Sequence, residues 1–150
     1  MAKVLAVCRS ETKGTKKIDI KKGTLKEGFG LVGDAHADAG WHRQVSLLAM
    51  ESIEKMRQLG YDVKEGDFAE NITCQGLELF SLPIGTRLKV GRDSVLEISQ
   101  IGKECHAGCA IFKQTGKCIM PKEGVFAKVI QGGEVSTGDT ILVLTKPEAK

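Results

Sequence analysis

Residues 102 to 124 read GKECHAGCAIFKQTGKCIMPKEG and carry Cys105, Cys109 and Cys118, three of the chain's five cysteines, together with His106. Thiolate and imidazole ligands of this kind suit zinc, an iron–sulfur cluster or another thiophilic metal. The C-x3-C-x8-C spacing lacks the paired C-x2-C of a zinc ribbon and matches none of the common ferredoxin runs. Cys109 and Cys118 also read as small apolar side chains in a core, a frequent fate of free cysteine. Cys105 differs in its company: it follows a strand-like run and sits between Lys103, Glu104 and His106. Adjacent cations favour the thiolate, the form that ligates metals and attacks sulfur. Cys105 is the candidate reactive residue.

Two further polar constellations stand in the chain. GDAHADAGWHRQ (33–44) holds Asp34, His36, Asp38, His42 and Arg43. Histidine and carboxylate both ligate metals, but H-x5-H is no recognised metal spacing. The stretch reads as a polar loop from which His36 or Arg43 contacts a ligand. GDFAENIT (66–73) carries Glu70 and Asn71 in a strand-like run, where side chains alternate faces, so at least one of them points inward or toward a cleft. An Asn in such a place either brackets its own backbone or offers an amide to a polar ligand.

The elements that must position these residues are mostly short strands. KVLAV (3–7), KIDI (17–20), FAENITC (68–74), TRLKV (86–90), SVLEISQI (94–101) and TILVL (140–144) have strand composition or the two-residue alternation of a half-buried strand. Gly91-Arg92-Asp93 between two of them predicts a β-hairpin. Two segments read as helix. Residues 46–59 have apolar positions at Leu47, Met50, Ile53, Met56 and Leu59, with Gly60 as the stop. Residues 122–131 follow Pro121, with Val125, Phe126, Val129 and Ile130 as the apolar stripe. Many strands with few helices predict a mainly β fold, a barrel or sandwich with a few short helices. One domain is expected over residues 1–145, with 146–150 a flexible tail.

Composition narrows the function classes. With 22 basic and 19 acidic residues mixed along 150 positions, the net charge of +3 is too mild and too dispersed for a nucleic-acid-binding face. The basic run Lys13 to Lys22 reads as a solvated strand and its loops. The opening apolar run is too short for a signal peptide, and nothing approaches a bilayer span, so no membrane association is expected. A cytoplasmic location follows, where thiols stay reduced. An odd cysteine count also fits a disulfide framework poorly.

Taken in order, the clusters resemble the MOSC domain, named for the C-terminal domain of molybdenum cofactor sulfurase. The matching pieces are Gly33-Asp34-Ala35-His36, Gln44-Val45-Ser46-Leu47-Leu48, and Gly66-Asp67-Phe68-Ala69-Glu70-Asn71-Ile72-Thr73. Gly76-Leu77-Glu78-Leu79, Ile84-Gly85-Thr86-Arg87-Leu88 and Leu96-Glu97-Ile98-Ser99-Gln100 follow, then Cys105, and Gly132-Gly133-Glu134-Val135 with Gly138-Asp139 closes the pattern. The resemblance implies a MOSC-type β-barrel and a cleft cysteine, here Cys105, that ligates molybdenum or carries sulfur as a persulfide. Around a pterin-molybdenum cofactor in such a cleft, Lys103, Arg43, His36 and His106 are expected to serve as cationic or hydrogen-bonding groups, with Asn71 a polar anchor. The family typically shows Pro before the cysteine; Glu104 stands here, and Cys109 and Cys118 are additional. The implied activity is sulfur transfer or a molybdenum-cofactor-dependent reaction, with molybdenum-cofactor biosynthesis proteins or molybdoenzymes as partners. No pyridoxal phosphate is expected in this chain alone. Two other readings stay open: a Cys/His module for zinc or an iron–sulfur cluster, and a non-catalytic protein that delivers cofactor to an enzyme.

Overall fold

The computed structural model describes residues 2–10, 17–35, 37–40, 42–68, 70–102 and 123–145. His36, Lys103, Cys105, His106, Cys109 and Cys118 therefore lie outside the described residues, as does the tail 146–150. The described elements are β1 (Lys3–Arg9), β2 (Ile18–Asp19), β3 (Lys22–Lys26), β4 (Gly30–Leu31), β5 (Val45–Ala49), α1 (Met50–Gln58) and β6 (Ile72–Gln75). After them come a 3-10 turn (Leu79–Ser81), β7 (Arg87–Val90), β8 (Ser94–Ile101), β9 (Val125–Gln131), β10 (Gly133–Ser136) and β11 (Ile141–Thr145). No helix among them is long and apolar enough to cross a membrane.

Eight strands form one sheet in the order β11-β7-β8-β9-β5-β6-β1-β2, and β10-β3-β4 form a second. Every pairing is antiparallel except β5 with β6. Parallel neighbours need a crossover, and α1 supplies it. Gly91-Arg92-Asp93 turns β7 into β8 as the sequence predicts, with Val90 paired to Ser94. The two ends of the large sheet approach each other: the Lys3–Thr140 bridge and hydrogen bonds from Ile141 N–H to Ala2 C=O and from Val4 N–H to Asp139 C=O join them at one point. Beyond that point the sheet stays open. Val143 is 38% exposed although its ladder partner Leu88 is fully buried. The fold is mainly β and barrel-like without a closed ring of strands.

Strand alternation sorts the apolar residues into two cores. Val45, Leu47, Ala49, Val125, Ala127 and Val129 point to the inner core, with Val4, Val7, Ile72, Leu88, Leu96 and Ile98. Leu25, Leu31 and Val135 of the small sheet cover that core. Leu48 and Phe126 point the other way, into a smaller cluster with Ile53 and Met56 of α1, Val63 and Phe68.

Both helix expectations need correction on this basis. The helix within 46–59 begins only at Met50, because VSLLA is buried on both faces as the central strand β5. Glu51 near its start and Lys55 and Arg57 near its end suit the helix dipole, and it ends before Gly60 as expected. The second expected helix, 122–131, is strand over most of its length: residues 125–131 are β9. Apolar residues at 125, 126, 129 and 130 satisfy a helical stripe, but Val125, Val129 and Ile130 are β-branched and the strand pairs on both sides, with β5 and β8. Tertiary pairing decided where local pattern was ambiguous.

Leu96 is fully buried in the inner core. Truncating such a side chain removes transfer energy and leaves a cavity, at about 2–5 kcal/mol. Leu96→Ala should lose that much in urea unfolding; a loss indistinguishable from zero would contradict the packing described.

Candidate functional site

Asn71 precedes β6 and lies where β1, β5 and β6 meet. Its side-chain oxygen accepts from the Ser46 N–H at 3.0 Å and the Ser46 hydroxyl at 3.2 Å, and its Nδ2 donates to the Cys8 carbonyl at 3.1 Å. Its backbone completes the tie, donating to Ser46 C=O and accepting from Cys8 N–H. One fully buried side chain thus holds β1 and β5 to the start of β6. Its amide is engaged by Ser46, the Cys8 carbonyl and Asp34.

Beside it lies a buried ion pair. Lys17 Nζ stands 2.7 Å from Asp34 Oδ1, and neither side chain is exposed. Lys17 also donates to Ser10 Oγ, and Ser10 N–H donates to the same Asp34 oxygen. Burial alone would push the Asp34 carboxyl up. The hydrogen bond and charge of Lys17, then the Ser10 N–H and Asn71, overcome it and hold the group below its ordinary value. The reading of Lys13 to Lys22 as a solvated run therefore fails at Lys17, whose ammonium is spent inside the fold.

A second cluster lies where the chain leaves β8. Gln100 Oε1 accepts from Arg43 Nε at 2.9 Å and is 2.6 Å from His42 Nε2, while Gln100 Nε2 donates to Gly102 C=O at 2.7 Å. An amide oxygen only accepts, so His42 carries a proton on Nε2. Ser99 Oγ donates to the His42 carbonyl. The Arg43 guanidinium lies over the Phe126 ring, 5.1 Å from its centroid, a stabilising cation–π geometry. Arg43 is thus held by an amide on one side and an aromatic face on the other. A fixed guanidinium beside an imidazole suits an anionic, oxygen-rich ligand.

The two ends of the segment bearing the cysteines are pinned. Gly102 N–H donates to Gly124 C=O at 2.7 Å. Glu123 accepts from Ser52 at 2.6 Å and from Lys55 at 2.8 and 3.0 Å. Gly102 is thus held by Gln100 and Gly124, and Glu123 by α1.

Of the residues singled out from sequence, Arg43 and Asn71 fall in these two clusters, whereas His36, Lys103, Cys105 and His106 fall outside the described residues. Lys17, Ser46 and Gln100 were missed. A buried lysine in a basic run carries no local signal, and Gln100 sat in a strand pattern that looked complete without it. Among the described residues no group of three or more His, Cys, Asp or Glu side chains is arranged to hold a metal. Cys8 and Cys74 are buried free thiols. Burial, then the charges of Glu51 and Glu70, pushes Cys74 up to about 12, and burial with Glu70 and other acids raises Cys8 as well.

A sequence model of the MOSC domain matches residues 34–142. The fold is similar to that of the YuaD protein from Bacillus subtilis, at 18% identity and a TM-score of 0.76 over 94% of each chain. YiiM from Geobacillus stearothermophilus is similar at 15% identity and a TM-score of 0.72, over 97% of this chain and 76% of that one. YiiM from Escherichia coli is similar at 18% identity and 0.69, over 99% and 72%. At these identities the likeness concerns the fold. No curated protein sequence matches the chain.

Two predictions test these assignments. Lys17→Met should cost about 3–5 kcal/mol because it strands a buried carboxylate, and Lys17→Met with Asp34→Leu should recover much of the loss. Additive losses in chemical unfolding would refute the coupling. At neutral pH in the folded protein, Cys8 and Cys74 should resist alkylation while Cys105 reacts fastest, because the thiolate is the nucleophile. Residue-resolved labelling in which Cys8 or Cys74 keeps pace with Cys105 would count against a special role for Cys105.

Proposed function

Because this chain belongs to the MOSC domain family, we propose that it acts in molybdenum-cofactor chemistry, binding the pterin-molybdenum cofactor or carrying sulfur as a persulfide on Cys105. The observation that carries this reading is the cluster at the base of the cysteine segment. Gln100 holds His42, Arg43 and the carbonyl of Gly102, three residues before Cys105. Arg43 and His42 would meet the anionic groups of the cofactor, Lys103, His106 and His36 would add hydrogen bonds or charge, and Asn71 would anchor the strands beneath. The bound cofactor would supply redox chemistry at its metal, with the Cys105 sulfur as a ligand.

In the sulfur-carrying form, the Cys105 thiolate attacks the outer sulfur of a donor persulfide. A new S–S bond forms on Cys105, the donor's S–S bond breaks, and the donor leaves as a thiolate. Arg43 would offset negative charge developed in this exchange. The partners are molybdenum-cofactor biosynthesis proteins or molybdoenzymes in the cytoplasm.

Cys105→Ser should abolish bound molybdenum and sulfane sulfur while leaving circular dichroism unchanged, since a hydroxyl is a poor soft-metal ligand and forms no persulfide. Equal loading in both proteins would sink the assignment. Cys109→Ala and Cys118→Ala should keep the loading, and a chelator should leave the melting temperature unchanged. A metal chelated jointly by the three cysteines would instead be lost in every variant, with a loss of stability, because metal binding and folding are coupled.

A further inference from the structure

Glu70 is fully buried beside the Asn71 tie. Its Oε2 accepts from the Thr73 hydroxyl at 2.7 Å and from the Gly66 N–H at 3.1 Å. Its Oε1 is buried and has no hydrogen-bond partner among the described residues. Lys17, whose N–H binds the Gly66 carbonyl, has its ammonium paired with Asp34. Cys8 on β1 and Cys74 on β6 face Glu70 as raised, neutral thiols, and Asp19, Glu65 and Lys17 act on the same Cys8. Protonated, the carboxyl needs no counter-charge. Ionised, it is a buried anion whose hydrogen bonds from Thr73, Gly66 and the backbone of Glu70 and Phe68 offset only part of the desolvation cost.

Gly66 is where this carboxyl grips the loop of residues 61–68. Its N–H goes to Glu70 and its C=O accepts from the Lys17 N–H at 2.8 Å. Its φ is +85°, and a Cβ there would stand 2.3 Å from the Lys17 carbonyl oxygen, so glycine is required. The loop itself walls a cavity of about 770 Å³, with Asp62, Lys64, Glu65 and Asp67 on its side and Lys17, Ile18, Asp19 and Lys21 opposite. The Lys17–Gly66 hydrogen bond ties the loop to the opposite wall.

We propose that Glu70 is a proton-controlled latch: with its carboxyl protonated the loop of residues 61–68 stays seated on β1 and β6, and loss of that proton loosens the loop and the cavity wall it forms. The proposal goes beyond the cofactor and sulfur reading and stands independently of it. Burial raises the Glu70 carboxyl from 4.5 to about 7, with hydrogen bonds from Thr73, Gly66 and the backbone of Glu70 and Phe68 offsetting part of the rise. A carboxyl raised in the closed state stabilises that state fully below the open-state value and not at all above the closed-state one. The closed loop should therefore weaken as pH rises from about 4.5 to about 7, by up to about tenfold in the opening constant per pH unit, and stay level above that.

Amide hydrogen exchange at Gly66, Asp67 and Phe68 of the full chain tests this, after the intrinsic base catalysis is divided out. Between about pH 5 and 7 the opening constant should climb steeply in the parent protein and stay flat in Glu70→Gln. A flat parent profile, or the same slope in both proteins, would overturn the latch. Carbon NMR titration of the Glu70 carboxyl in the parent gives a second decision should Glu70→Gln fail to fold. A midpoint near neutrality supports the latch, and one in the ordinary carboxylate range overturns it.

Discussion

The Asn71 amide is the contact on which the arrangement of β1, β5 and β6 depends. Parallel β5 and β6 come together only through the α1 crossover, and β1 adds to the far side of β6. At the start of β6 a single side chain satisfies the Cys8 carbonyl, the Ser46 N–H and the Ser46 hydroxyl. Removing it would leave several buried polar groups unserved at once, each at roughly 1–3 kcal/mol. The Lys17–Asp34 pair leans on the same amide. It ties the chain entering β2 and the chain leaving β4 to this junction.

That tie sits on the side of the sheet away from the inner core. β5 makes the division plain: Val45, Leu47 and Ala49 face inward, while Leu48 packs under α1 and Ser46 reaches Asn71. β9 repeats it, with Val125, Ala127 and Val129 inward and Phe126 turned out beneath Arg43. The inner face is apolar and supplies stability. The outer face can carry ion pairs, fixed cations and a titrating carboxyl without disturbing that core. Ser46 meets Asn71 there because strand alternation turns it away from Val45 and Leu47.

Much of this was legible in the sequence. The β7–β8 hairpin, the strand over 94–101, the stop at Gly60 and the mainly β class followed from alternation and turn residues. The expectation that Glu70 or Asn71 points inward also holds, since both are buried. The segment 125–131 was misread because an apolar spacing of one, three and one residues fits either period, and only pairing with β5 and β8 resolves it. Lys17 and Gln100 were hidden for another reason: their importance lies in contacts with Asp34 and with His42 and Arg43, 17 and 57–58 positions away. Composition and periodicity hold no information about contacts at that range. Cys105 remains an assignment from its charged neighbours and from the family pattern.

The most direct test of the central claim is native mass spectrometry of the anaerobically purified full chain, with fragmentation to locate any added mass. A molybdenum-pterin adduct, or the mass of added sulfur localised to Cys105, is the result this account predicts. Stoichiometric zinc or iron, with Cys105 carrying neither sulfur nor cofactor, would contradict it.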